Sequence, residues 1–218
     1  MLVVLGATGA PTPADPVPPA PPPPSERANG VVVTTTGVVV PRLSTYASGD
    51  GHWVRTPCWR LEPLLGGRVV DTVDVVLDPG HGGSERGAVA ETGLEEKVVN
   101  LAVAERAAEQ LRADGYRVQL TRTTDTGMTI RTRAEIARAL RPQAFVSIHH
   151  NAGGSGESPL PGTEVFVQMH SPRSGDHADL AYTNIAFAMS RYPIRWRDNP
   201  DRGVRVRPSA ENADRDEF

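Results

Sequence analysis

The sequence predicts an α/β protein: an open, mostly parallel sheet with helices on both faces, preceded by a short β-rich segment and a proline-rich linker. Three observations predict it. From residue 70 onward, short β-branched runs alternate with stretches whose apolar residues recur at helical spacing. Between residues 30 and 65 the chain is β-branched, with glycine and proline as punctuation and no helical period. Between residues 11 and 24 proline dominates, and proline lacks the N–H that a ladder or a helix needs.

The 218 residues suffice for one ordinary domain with appendages, and 20 prolines and 21 glycines mark part of the chain as unstructured. A net charge of −3 leaves no basic excess to neutralise phosphates, which argues against nucleic acid as the main partner. No apolar run approaches the ~20 residues of a bilayer-spanning helix, so no integral membrane segment is expected. Cys58 is the only cysteine, which excludes an internal disulfide framework and a zinc site built on several thiolates.

The opening MLVVLGATGA is apolar, then small before Pro11, like the tail of a secretory signal, and predicts export. PTPADPVPPAPPPP follows as an extended polyproline II linker, so residues 1–29 read as signal remnant and spacer. Residues 30–69 read as a small β segment of two or three antiparallel strands, with a turn at Gly49-Asp50-Gly51 and Cys58 as a buried small side chain.

Residues 70–218 read as the main domain. VVDTVDVVLDPG is a strand ending in a turn. Leu94 to Arg112 is a helix, with Leu94, Val98, Leu101, Ala104 or Ala108, and Leu111 on its inner face and Gly115 past its end. YRVQLTR is a strand, Thr129 to Leu140 a helix, and Gln143 to Ile148 a buried strand. A loop over Gly153 to Gly162 leads to a strand over Thr163 to Gln168. A last helix runs from Asp176 to Ser190, with Leu180, Ile185 and Met189 on one side.

Chemistry concentrates at the carboxyl ends of two strands, the edge where open parallel sheets bind ligands. His81 lies in Asp78-Pro79-Gly80-His81-Gly82-Gly83, and His149 in Ser147-Ile148-His149-His150-Asn151. Glu96 lies in the first turn of the helix after the first strand. If the two strands are neighbours, the imidazoles converge and Glu96 reaches in. Two imidazoles and a carboxylate form a catalytic zinc site with one position left for water. Such a donor set favours zinc over iron or copper. Spacing alone does not choose between Glu96 and Glu95, or between His149 and His150.

At these residues the sequence resembles the zinc-dependent N-acetylmuramoyl-L-alanine amidases of the amidase-3 family. VVLDPGHGG at 75–83, EKVVNLAVA at 96–104, the arginine-bearing helix around Arg133, FVSIHHNA at 145–152 and GTEVF at 162–166 occur in the family's order. The resemblance implies one Zn2+ held by His81, Glu96 and His149, because the family glutamate directly precedes lysine and the family histidine stands in Ser-Ile-His-x-Asn. It implies peptidoglycan as the partner, an exported, periplasmic or cell-wall location, and cleavage of the amide between N-acetylmuramic acid and the L-alanine of the stem peptide.

The family's general base is a second glutamate on a late apolar strand. After Gly203 the chain reads VRVRPSAENADRDEF, which predicts that this strand is missing and the domain C-terminally incomplete. Glu211 and Glu217 lie in that polar tail. Glu164 matches a different family position and reads as an ordinary strand residue. The catalytic base is therefore unassigned, and the alternative expectation is an impaired homologue that binds peptidoglycan, or regulates an amidase, without cutting.

Overall fold

The computed structural model describes residues 19–22, 26–150, 157–158, 162–168, 172–193, 195–197 and 203–206. The signal-like opening, most of the proline-rich stretch, residues 151–156 and 159–161, and both Glu211 and Glu217 lie outside the described residues; within the expected loop, Glu157–Ser158 form a short strand. The chain divides into two compact units, Met1–His150 and Asn151–Phe218.

The first unit holds two sheets. Strands β1 (Val31–Val33), β2 (Val39–Thr45), β3 (Gly51–Arg55), β4 (Leu61–Leu65) and β5 (Arg68–Val70) form an antiparallel sheet in the order β4-β3-β2-β1-β5. The segment is thus five strands, not two or three. Val69 and Val70 pair with β1 instead of opening the parallel sheet. Gly66 and Gly67, both at positive φ, turn the chain back so that β5 reaches β1. Cys58 is exposed, not buried, because it sits in the turn between β3 and β4. The described end of the proline-rich stretch lies against this sheet: the Trp53 indole N–H donates to the Pro19 carbonyl at 3.1 Å.

The second sheet is parallel. It contains β6 (Val75–Pro79), β7 (Val118–Leu120) and β8 (Ala144–Ile148) in the order β7-β6-β8. Helix α1 (Glu96–Ala113) connects β6 to β7, and α2 (Ile130–Leu140) connects β7 to β8. Side chains alternate across β6, so the two helices take opposite faces. Val75 and Leu77 join Ala104 and Ala108 of α1, while Val76 joins Ile136 and Leu140 of α2. Val31 and Val39 belong to the same cluster as Ile136, so α2 is packed between the two sheets. Thr129 caps α2 by accepting from the Thr132 amide, and Arg141 ends it in a left-handed conformation.

Two expectations change here. The buried stripe of α1 is Glu96, Asn100, Ala104 and Ala108, whereas Leu94 and Val98 are half exposed. The helix starts at a polar site, so its first inward positions carry polar groups, and small alanines then let it approach the sheet. Strand β8 is not buried: Phe145 and Val146 are 43% and 45% exposed. Among the described residues β8, like β7, is an edge strand of this sheet, and an apolar run marks a strand without marking its place in a sheet.

The second unit contains β9 (Glu157–Ser158), β10 (Glu164–Val167), α3 (Pro172–Ser190), β11 (Trp196–Arg197) and β12 (Gly203–Val206). Leu180 and Ile185 of α3 are exposed. The tail after Gly203 is not strandless: β12 pairs in parallel with β10, from Glu164↔Gly203 to Val167↔Val206. Val204 and Val206 alternate with Arg205, enough for a partly exposed strand, and β12 carries no glutamate. No helix among the described residues is long and apolar enough to cross a membrane.

Candidate metal centre

The site follows from strand register. β6 and β8 pair with Pro79 opposite Ile148, so the two strands end level and side by side. His81 follows the first and His149 the second. Their rings lie edge to face, with centroids 4.8 Å apart and planes at 83°. Glu96 opens α1 and points its carboxylate between them. Its Oε2 is 3.2 Å from His81 Nε2 and its Oε1 is 3.0 Å from His149 Nδ1. One donor atom from each residue lies within 4.8 Å of the others, and among the described residues this is the one group of that kind.

The rivals are placed elsewhere. Glu95 pairs with Arg86 at 2.6 Å and with Lys97 at 3.3 Å. The His150 ring pairs with Asn100 Oδ1 at 2.8 Å, and what His150 brings to Glu96 is its backbone N–H, at 2.9 Å from Oε1.

The Glu96 side chain is only 6% exposed. Burial pushes its carboxyl up. The donated N–H groups of Ala88 and His150, the His149 ring and the nearby His81 outweigh that and hold it below the usual carboxylate range. The site therefore keeps an anion between two imidazoles. Burial pushes His150 below the usual histidine range; the Glu96 charge opposes this and His149 adds to it.

The residues present fit a zinc ion. Two nitrogens and one carboxylate are a zinc donor set, and bonds of ~2.0–2.2 Å require donors only a few ångströms apart. The cradle is tight on its two glycine sides. A Cβ on Gly87 would stand 2.5 Å from His81 Cδ2 and 2.6 Å from Glu96 Oε2. A Cβ on Gly80 would collide with the His149 ring.

The strand–turn geometry is held from behind. His81 adopts φ 60°, a left-handed conformation that costs a non-glycine residue roughly 1–2 kcal/mol. Arg133 secures it, donating to the His81 carbonyl at 2.7 Å, the Pro79 carbonyl at 2.9 Å and Asp78 Oδ1 at 2.5 Å. Asp78 also accepts from Thr121 at 2.6 Å and Ser147 at 2.9 Å. Asn100, fully buried, donates to the Gly80 carbonyl at 3.1 Å and to Glu96 at 3.4 Å. Asp78, Asn100 and Arg122 did not stand out from the sequence. A signal existed for Asn100, which follows Glu96 by one helical turn, and for Arg122, which lies just past the end of β7 at the same sheet edge.

Comparison with known proteins places these observations in a family context. The Amidase_3 family profile, N-acetylmuramoyl-L-alanine amidase, matches residues 75–209. N-acetylmuramoyl-L-alanine amidase AmiC of Neisseria meningitidis serogroup B is 45% identical over 78 residues, 36% of this chain and 19% of that protein. N-acetylmuramoyl-L-alanine amidase AmiA of Escherichia coli is 42% identical over 93 residues, 43% of this chain and 32% of that protein. The solved structure of Cwp6 from Clostridium difficile superposes with a TM-score of 0.53 at 30% identity, covering 66% of this chain and 22% of that one. The matched stretch of this chain spans less than half the length of both curated amidases.

Proposed function

The chain belongs to the amidase-3 family of N-acetylmuramoyl-L-alanine amidases, and from that membership we propose that it hydrolyses peptidoglycan at the amide joining N-acetylmuramic acid to the L-alanine of the stem peptide. One zinc ion is held by His81, Glu96 and His149. Convergence of three donor atoms within 4.8 Å, inside the matched residues, is the observation that carries this reading. Its substrate lies outside the cytoplasm, so the reading entails export.

The chemistry that zinc supplies at such a site is polarisation of an amide carbonyl and acidification of water toward neutral pH. His81 and His149 each contribute a ring nitrogen and Glu96 the one carboxylate. The amides of Ala88 and His150 fix the Glu96 carboxylate at 2.9 Å each, so it is oriented before any ligand arrives. His149 is the more exposed of the two rings, at 43% against 24% for His81, which puts the open side of the site beside it. Hydrolysis also needs a base that takes a proton from water and passes it to the leaving nitrogen. The alternative reading is a homologue that binds the wall, or regulates an amidase, without cutting; strand β12 carries no glutamate to serve as that base.

Incubation of the zinc-loaded chain with purified peptidoglycan separates the two. Stem peptide released from muramic acid, and lost on adding a chelator, supports the amidase. Sedimentation with the wall without release supports the non-cutting homologue. Neither release nor sedimentation contradicts both.

A further inference from the structure

Arg122 follows β7 and is 1% exposed. No carboxylate forms an ion pair with it among the described residues. Its guanidinium is satisfied by carbonyl oxygens: Nε donates to Pro79 at 3.0 Å, Nη2 to Gly80 at 2.9 Å and to Lys97 at 2.8 Å, and Nη1 to Thr124 at 3.2 Å. A buried cation hydrogen-bonded only to carbonyls, with Asp125 and Asp78 acting on it at longer range, is a poor stabiliser compared with an apolar side chain of the same volume. The identity of the carbonyls supplies a different reason for it. Pro79 and Gly80 directly precede His81, and Lys97 directly follows Glu96. One planar fork thus spans the turn that presents the first histidine and the helix start that presents the carboxylate.

We propose that Arg122 is a positioning residue that sets the spacing between His81 and Glu96 and so tunes the affinity of the centre for zinc. This rests on the reading of those two residues as zinc ligands. A lysine does not replace the fork: its ammonium is a point charge and does not span the four carbonyls that the planar guanidinium reaches.

The sign of the effect separates positioning from two other roles. A buried positive charge repels a nearby dication, so if Arg122 acted by charge alone, its removal would tighten zinc binding. If it served only to stabilise the fold, the affinity of the folded protein would not move. If it positions the ligands, affinity falls.

The test is a zinc titration against a chromophoric chelator, on the full chain, for wild type, His81→Ala, Arg122→Met and Arg122→Lys, each checked for native circular dichroism. Wild type is expected to bind one zinc, and His81→Ala to lose it. A wild type that binds no zinc, or a His81→Ala variant that binds as tightly, removes the underlying metal-site reading. With that reading intact, Arg122→Met is expected to bind about 10–100-fold more weakly, the range for outer-shell partners of metal ligands. Unchanged or tighter binding by folded Arg122→Met overturns the proposal. If Arg122→Met does not fold, Arg122→Lys decides. It keeps the cation but not the fork, and wild-type affinity there overturns the proposal equally.

Discussion

Gly87 lies against both His81 and Glu96, close enough that a single added methyl group would overlap the imidazole and the carboxylate together. Its φ of +67° adds roughly 1–2 kcal/mol of strain for any other residue. Gly87→Ala is expected to lower zinc affinity by about 10-fold or more while leaving the native circular dichroism in place. Zinc titration checks this, and wild-type affinity would show that the cradle has slack.

Ile136 and Leu140 are fully buried in the cluster that α2 shares with both sheets of the first unit. Shortening either to alanine is expected to destabilise that unit by ~2–5 kcal/mol. In a Trp196→Phe background, which leaves Trp53 and Trp59 as the only tryptophans, urea unfolding followed by far-ultraviolet circular dichroism, and separately by tryptophan fluorescence, is expected to show both signals shifting to lower denaturant together. Independent transitions would mean that α2 does not couple the sheets.

Asp74 accepts both the Arg117 backbone N–H at 2.8 Å and its guanidinium at 2.7 Å. These hydrogen bonds hold its carboxyl down at about 2. A folded value below the unfolded one means the contribution is present above the unfolded carboxylate range near pH ~4 and is lost as pH falls toward 2. Arg117→Gln should therefore lower the melting temperature at neutral pH and leave it nearly unchanged close to pH ~2. An equal deficit at both ends would remove the linkage.

Cys58 is exposed in the β3–β4 turn. A chromogenic aromatic disulfide should titrate one thiol per native chain, at a rate close to that of the unfolded chain. Protection until denaturant is added would return Cys58 to the interior.

The elements that define the site were legible because they combine a strand, a glycine-rich turn and a polar side chain in one short stretch. DPGHGG and SIHHNA are both of this kind, and their strands did prove adjacent. The α/β alternation was legible for the same reason. Placement was not. Phe145 and Val146 carry the pattern of a core strand yet lie on an outer one. Val69 and Val70 continue the run into β6 in sequence but pair with β1. Strand β12 was hidden because main-chain pairing with β10 tolerates Arg205 between two valines. Arg122 was marked only by its place after a strand at the same sheet edge, and nothing in its spacing showed that it would be buried and bonded to carbonyls.

At the centre of the proposed function, His81, Glu96 and His149 share one cation. A crystal of the zinc-loaded chain, measured on both sides of the zinc absorption edge, tests this most directly. The prediction is one anomalous peak ~2.0–2.2 Å from a ring nitrogen of each histidine and from a Glu96 oxygen. A peak held by other residues, or none at these three in zinc-saturated crystals, would contradict it.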